Sequence, residues 1–373
     1  VKTAAVFGVG RMGQAICYAM DKLGFKILGV DSYAPAESTL RQLVPDADFI
    51  LVEGKTQHDF ELSLGHILDN QDIDIVISSL PYHKTKRLGV FCVDSGIRYC
   101  DLGGRVDVSE SINDYARQVA EKPVLTDLGL APGWVNILAE EGYRQLHGQV
   151  EDVKMMVGGL PDYSESTKNP LRYAVTWSTD GLINEYIDDC LILRDGEIET
   201  VKGMDGLEQI EGNKFGKMEA FYTSGGASHS IHSMKDRGVR NCSYKTIRYK
   251  GHRDIVNFLM RDCQLDDKTM EKIFLQGCGK AENDEVFVVA EVSGGDKVWR
   301  RERVIKSDEQ FSAMQKATAF SISSVAAIMA QGKLEGNKEQ RRDYWVQYPA
   351  ALSYADIPFE EFKENLKILG IET

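Results

Sequence analysis

The sequence predicts an α/β protein in two parts, a parallel sheet wound with helices followed by a strand-rich α+β part. Three observations carry this. Short apolar runs alternate with helix-length amphipathic segments over the first ~130 residues. A glycine cluster sits at the first junction between an apolar run and a helix. Beyond Val150 polar residues interleave the apolar ones in the period-2 manner of strands.

Ala4-Ala5-Val6-Phe7 reads as a strand buried on both faces, and it runs into Gly8-Val9-Gly10-Arg11-Met12-Gly13, the pattern G-x-G-x-x-G. Met12, Ala15, Ile16, Ala19, Met20 and Leu23 then recur at helical spacing, with Gly24 in the place of a helix C-terminal glycine. Phe25 to Asp31 is a second strand that ends in an acid. Each part has a physical job. The first glycine permits a tight turn, the second lets backbone approach a pyrophosphate, and the third lets helix pack on strand. The helix N-terminus, starting with Arg11 and Met12, offers free N–H groups to phosphate. Asp31 is placed to accept from the adenosine ribose hydroxyls and to repel a 2′-phosphate, which predicts NAD as cofactor rather than NADP. This is a Rossmann-type dinucleotide-binding unit.

The alternation continues. Strands are expected at Asp48–Val52, Asp74–Ser79, Arg98–Asp101 and Pro123–Asp127. Helices are expected at Gln57–Asn70, with Thr56 and Asp59 as a capping box, at His83–Ser95 and at Ser109–Glu121. Helix-length crossovers between strands mean a parallel sheet, and ligands lie outside the carboxyl ends of such strands. Ser79, Leu80 and Pro81, Asp101, and Pro132 in the loop after the last strand therefore join the cofactor-binding candidates. Asp101 reads equally as an acid facing a ligand and as a helix cap. Asp127 precedes the stiff apolar loop Leu128-Gly129-Leu130-Ala131-Pro132-Gly133, and is a catalytic candidate.

In the second part strands are expected at Val153–Val157, Arg172–Trp177, Phe215–Phe221 and Ser243–Tyr249, in a largely antiparallel sheet. Helical patches follow at Arg253–Arg261 and Lys268–Leu275, then a hairpin of Glu285–Val292 with Lys297–Val304 across Gly294-Gly295. Ser307-Asp308-Glu309 opens a long helix to Gln331, whose small uncharged middle suits burial on most sides. It is expected to return to the first domain. The organisation predicted is a dinucleotide domain of residues 1–129 completed by 307–373, with a substrate domain of 130–306.

Composition sets the outer limits. The chain has 373 residues, 43% hydrophobic and 27% charged, enough for two packed domains. A net charge of −13 argues against nucleic acid and anionic membrane as partners. No stretch approaches the ~20 apolar residues that span a bilayer. Val1 runs directly into a strand without signal-peptide features, and the seven cysteines are scattered and never form C-x-x-C. A cytoplasmic, reduced protein without a metal centre is expected.

Taken jointly, Leu80-Pro81-Tyr82, the run Asp127 to Gly133, Gly158-Gly159-Leu160-Pro161, Asn169-Pro170-Leu171-Arg172-Tyr173, Trp177-Ser178 and Thr246 to His252 resemble the saccharopine dehydrogenase superfamily over nearly the whole chain. The length and Asp180-Gly181-Leu182-Ile183-Asn184-Glu185-Tyr186 are most similar to its lysine 6-dehydrogenase branch. The resemblance implies NAD-dependent oxidation of the terminal amine of L-lysine, or of a related basic amino acid or diamine, to an aldehyde with release of ammonia, the aldehyde then cyclising to an imine. It also implies a homodimer joined through the second domain. Saccharopine reductases carry an arginine after the Trp-Ser-x run; here the residue is Asp180, which suits an ammonium better than a carboxylate.

That chemistry needs a proton acceptor, an anion for the distal ammonium and a cation for the α-carboxylate. Arg248 and Arg172 are the candidate cations. Thr246 shares a strand face with Arg248, and Tyr249 would reach the site from the strand end. Asp180 is the candidate anion. His229, His232 and His252 are available as base, with His229 in a glycine- and serine-rich segment that suits a site loop. The alternatives are a saccharopine or carboxynorspermidine dehydrogenase, and a non-catalytic NAD-binding sensor.

Overall fold

The computed structural model describes residues 1–52, 57–166, 168–211, 217–279, 281, 283–334 and 352–372. Its first sheet is built from β1 (Thr3–Phe7), β2 (Lys26–Asp31), β3 (Asp48–Leu51), β4 (Ile75–Ser78), β5 (Arg98–Asp101) and β6 (Val124–Leu125). All pair in parallel, in the order β3-β2-β1-β4-β5-β6. That order, reversing between β1 and β4, is the doubly wound arrangement the alternation predicts. The crossovers are α1 (Arg11–Lys22), α2 (Pro35–Leu43), α3 (Gln57–Asn70), α4 (Tyr82–Asp94) and α5 (Val106–Val119). Helix α1 ends as its sequence asks: Gly24 takes a positive φ of 87°, and Phe25 N–H bonds back to Met20 O. The capping role expected of Thr56 lies outside the described residues. Ala5, Phe7, Leu28, Val76, Leu88 and Tyr99 form part of one apolar layer of this sheet.

Next come α6 (Trp134–Gln145), β7 (Asp152–Pro161), α7 (Tyr163–Ser166), α8 (Thr179–Ile187), β8 (Cys190–Arg194), β9 (Glu197–Val201), β10 (Glu208–Glu211) and β11 (Lys217–Tyr222). After these lie α9 (Ser230–Asp236), β12 (Asn241–Tyr249), α10 (His252–Asn257), which runs into a π-turn, α11 (Asp267–Gly277), and the hairpin β13 (Asp284–Gly294) with β14 (Lys297–Lys306). The sheet runs β10-β11-β12-β7-β13-β14, with β8 on β12 and β9 on β8. Only β12 with β7 is parallel, so the sheet is mixed and largely antiparallel. The chain closes with α12 (Ala313–Ala330), a 3-10 turn (Tyr354–Asp356) and α13 (Phe359–Ile368).

Three expectations need correction. Residues 172–177 are not a strand. Arg172 sits at φ 51°, and the Asn169 side chain donates to the carbonyls of Tyr173 and Cys278, fixing a turn instead of a ladder. The helix expected from Ser307 begins only at Ala313, because the Asp308 carboxylate accepts from Gln310 and Phe311 N–H and holds a turn there. The amides of Ala313 and Met314 are capped by the carboxylate of Asp284 on β13. The last strand of the first sheet stops at Leu125, two residues before Asp127.

The chain divides into two compact units, residues 1–134 with 318–373, and residues 135–317. Both junctions lie later than the sequence suggested. The loop after β6 is tied to the first sheet through Leu128 N–H on Asp101 O, while Ser307 N–H binds Asp284 O. The second division falls inside α12. Its later turns belong with the first unit, where Phe320 stacks on Tyr18 of α1 and Asn365 of α13 donates to Ser324 O.

Candidate active site

In the first unit, β1 delivers the glycine loop. Gly8 has φ 88°, and a Cβ there would stand 2.7 Å from Ser79 O. A Cβ on Gly13 would lie 1.8 Å from Gly8 O, so helix and loop pack at a distance only glycine allows. Gly10, the N-cap of α1, is different: a Cβ there meets nothing within 4 Å. Two glycines are therefore demanded by packing and the middle one is not. That is the arrangement of a loop whose open side admits a phosphate. Arg11 is exposed and Met12 half-buried in the first turn that follows.

Asp31 faces this loop. Its carboxylate accepts from Val9 N–H (2.6 Å) and Tyr33 N–H (2.9 Å). Ser79 and Leu80 back the loop: Ser79 N–H bonds Phe7 O (2.8 Å), and Leu80 Cδ2 lies against Gly8. Pro81 is the N-cap of α4. The cofactor-binding set from Gly8 to Pro81 thus surrounds one loop, and its residues fit a dinucleotide.

Asp101 and Asp127 form a second, buried group. Asp101 Oδ1 accepts from the amides of Gly103 and Asp127 (both 2.9 Å), and Oδ2 from Tyr99 OH (2.9 Å). Burial first, and then the neighbouring Asp127 charge, push the Asp101 carboxyl up to about 7. The helix-cap reading of Asp101 is not what these bonds describe, since they go to Tyr99, Gly103 and Asp127 and none to the start of α5. Asp127 has φ 62°, accepts from Ser109 OH (2.6 Å), and offers its carbonyl to Tyr354 OH (2.8 Å). A Cβ on Gly103 would stand 2.2 Å from Asp127 Oδ1. Pro132 lies half-buried in the following loop, which closes on itself where a Cβ on Gly133 would meet Gly129 O at 2.1 Å.

The second unit buries a cation. Arg248, on β12, is 3% exposed. Its guanidinium lies 4.6 Å from the ring centre of Tyr173. Its Nε donates to Tyr186 OH (2.9 Å) and its Nη1 to Ile247 O (2.9 Å). Glu185 Oε2 stands 3.9 Å from Nη2. Helix α8, opened by Ser178 accepting from Gly181 N–H, brings Glu185 and Tyr186 here. Burial raises the Glu185 carboxyl to about 7, against the pull of Arg248. His252 closes the chain of bonds, with Nε2 3.0 Å from Tyr186 OH and Nδ1 2.6 Å from Leu171 O. Burial, then the Arg248 charge, lower this imidazole to about 3, so it is neutral. A neutral ring with Nδ1–H donating to a carbonyl leaves Nε2 to accept from Tyr186, which in turn accepts from Arg248.

Of the other predicted residues, Thr246 shares the strand face of Arg248. Thr246 is buried on the same strand, its Oγ1 2.8 Å from Thr223 Oγ1. Tyr249 OH donates to Pro161 O (2.9 Å), and its ring packs edge-on to Tyr163. Arg172 is exposed and donates to Lys250 O (2.6 Å). Asp180 is exposed in the first turn of α8, where an acid complements the helix dipole. His229 is the N-cap of α9, with Nδ1 3.2 Å from Ser228 Oγ. Sequence reasoning missed Glu185, Tyr186 and Tyr173, and named His252 only as one of three available bases. The helical period was the available signal. Five residues along a helix turn by about 140°, so Asp180 and Glu185 face different ways.

Among the described residues no cluster of three His, Cys, Asp or Glu side chains could hold a metal ion, and no helix is long and apolar enough to cross a membrane. Comparison with known proteins places this geometry. Mouse mitochondrial alpha-aminoadipic semialdehyde synthase is 29% identical over 150 residues, 38% of this chain and 15% of that protein. The NADP(+), L-glutamate-forming saccharopine dehydrogenase of Saccharomyces cerevisiae is 29% identical over 140 residues, 36% of this chain and 30% of that protein. The match thus spans less than a third of either relative's length. The solved apo saccharopine dehydrogenase (L-Glu forming) of Saccharomyces cerevisiae shares the fold, with a TM-score of 0.71 over 100% of this chain and 98% of that one, at 15% identity. The profile of the saccharopine dehydrogenase C-terminal domain matches residues 129–343, more than half of the sequence, and the chain belongs to the saccharopine dehydrogenase family.

Proposed function

We propose that this chain is an NAD-dependent dehydrogenase that oxidises the terminal amine of L-lysine, or of a closely related basic amino acid or diamine, to an aldehyde or cyclic imine with release of ammonia. The observation that carries the amino-acid part is the buried guanidinium of Arg248, 4.6 Å from the ring centre of Tyr173 and with N–H groups to offer a carboxylate. NAD follows from Asp31, whose carboxylate at the end of β2 repels a 2′-phosphate.

When bound at the glycine loop, NAD supplies a hydride acceptor for the amine-bearing carbon. The chain's residues do the rest. Gly8, Gly10 and Gly13 admit the pyrophosphate, and Asp31 takes the ribose hydroxyls. Arg248 holds the α-carboxylate, with Thr246 beside it on the strand. Asp127 and His229 are the candidate proton acceptors that leave the amine neutral before oxidation. Asp180 or Glu185 serves the ammonium. The proposed assembly is a homodimer joined through the second unit.

A second reading, saccharopine oxidation with NADP, is favoured by the name of the Saccharomyces cerevisiae relative, an NADP(+), L-glutamate-forming saccharopine dehydrogenase. One experiment separates the two: reduction of NAD and NADP with lysine, ornithine, simple diamines and saccharopine as donors. NADH from lysine is expected. Turnover with saccharopine and none with lysine overturns the proposal. Asp31→Ser should weaken NAD binding and narrow the preference over NADP by about 10-fold or more. Equal use of both nucleotides by the wild type would remove the role given to Asp31.

A further inference from the structure

Arg248 carries five N–H donors. Nε meets Tyr186 OH and one Nη1 hydrogen meets Ile247 O. Among the described residues, no hydrogen-bond acceptor is recorded for the other three. Glu185 Oε2, at 3.9 Å from Nη2, is beyond hydrogen-bond reach and near enough for attraction. Glu219, directly opposite Arg248 on β11, does not serve it: its carboxylate takes the amides of Gly251 and Arg253 at the start of α10. A buried guanidinium with donors left over is costly, and a planar bidentate acceptor relieves that cost best.

The same centre holds an acid with capacity to spare, an anion once the pH passes about 7. Among the described residues no hydrogen bond reaches the Glu185 carboxylate, and the charged group that faces it is Arg248 at 3.9 Å. The other titratable groups around Glu185 are Tyr173, Tyr186, Tyr244 and Cys190, all held in their neutral forms by burial. Glu185 is the more open of the pair, its side chain 17% exposed against 4% for Arg248. The pair is a carboxylate and a guanidinium side by side, each able to take a further opposite charge, reached from the Glu185 end.

We propose that Glu185 and Arg248 together bind the head group of an α-amino acid, Arg248 taking the α-carboxylate and Glu185 the α-ammonium. The proposal rests on the reading that the substrate is an amino acid. Spacing decides which amine of a basic amino acid Glu185 takes. Groups 3.9 Å apart are bridged by two charges on one α-carbon, and not by a carboxylate and an amine separated by the whole side chain. The specificity follows: the site selects molecules with both α-charges free, and discriminates against ω-amino acids, diamines and N-acylated amino acids. The terminal amine is left for the reaction.

The test uses L-norleucine, which has the head group and lacks a terminal amine. Binding to the full-length protein is measured by calorimetry, with and without saturating NAD, alongside hexanoate and hexylamine. Wild-type protein should bind norleucine more tightly than either. Glu185→Gln should weaken norleucine by about 10-fold or more while changing hexanoate less than about threefold, and Glu185→Asp should restore part of the loss. Near-ultraviolet circular dichroism checks that each variant keeps its packing. Norleucine binding that is absent from the wild type, or equal in wild type and Glu185→Gln, overturns the proposal. Its fate is separable from that of the lysine reading. Glu185-dependent norleucine binding without lysine oxidation keeps the head-group site and removes the reaction. Lysine oxidation with a KM insensitive to Glu185→Gln does the reverse.

Discussion

The glycine loop and the Arg248 centre are built on opposite plans. The first lies mostly in one stretch of chain, Gly8 to Asp31, and its candidate recognition groups are backbone amides placed by glycines, with the Asp31 carboxylate at the end of the stretch. The second draws Leu171 and Tyr173 from an irregular segment, Glu185 and Tyr186 from α8, Arg248 from β12 and His252 from α10. A site made of backbone depends on local spacing, and spacing is what a sequence displays. A site made of side chains depends on which elements become neighbours, which only the folded sheet decides.

The comparison can be broken most forcefully at Gly13. Gly13→Ala drives a methyl toward Gly8 O, and a loss of about 3 kcal/mol or more is expected together with loss of NAD binding. Thermal unfolding and NAD titration measure both. Gly10→Ala is the control: with open space around its Cβ the fold should survive, while NAD affinity falls by about 10-fold. A Gly10→Ala protein with undiminished NAD affinity would show that no phosphate approaches there.

Arg248→Met is the matching cut in the second unit. The KM for lysine should rise by about 30-fold or more with NAD affinity unchanged, because the lost pair is desolvated. A shift under about threefold would take the carboxylate away from Arg248.

Asp101→Asn acts through pH. In the folded chain Asp101 keeps its proton up to about 7, whereas the unfolded chain releases it near ~4. The folded state therefore holds the extra proton across that window, and this residue's contribution to stability falls as pH rises from ~4 to ~7. Asparagine cannot ionise, its oxygen can still accept from Gly103 and Asp127, and Tyr99 OH can turn to Thr85 O. The difference in urea midpoint between pH 5 and pH 8 should shrink in the variant by the equivalent of about 2–4 kcal/mol. An unchanged difference would mean that Asp101 is ionised throughout.

The smallest effect belongs to Asp180→Asn. With the side chain exposed, the KM for lysine should change by less than about twofold. A rise of tenfold would return the distal ammonium to Asp180.

These contrasts also explain what the sequence disclosed. The order of six strands, the glycine roles and the turn at Gly24 were legible because each is fixed by residues close together in the chain. Arg248 was legible as a cation on a strand whose alternate residues pair it with Thr246. Its burial against Tyr173 was not, since alternation suggested a strand over residues 172–177, where the Asn169 side chain instead fixes a turn. Asp180 drew attention as an acid in a notable position, while Glu185, on another side of the same helix, is the acid beside the guanidinium.

The return of the chain to its first unit sets an order of synthesis. Residues 135–317 leave the ribosome as an unbroken stretch, so the second unit has its whole sequence while the first still lacks residues 318–373. Among the partners that arrive last are Leu352 N–H for the carbonyl of Val124 on β6 and Tyr354 OH for the carbonyl of Asp127. Within this stretch the unit whose residues come first is thus also the one whose residues come last, so its completion waits on the whole of the second unit, against the usual N-terminal-first order of multidomain chains. Until Leu352 is made, the carbonyl of Val124 on β6 lacks that partner, and an unpaired strand edge is the kind that invites pairing with a neighbouring chain.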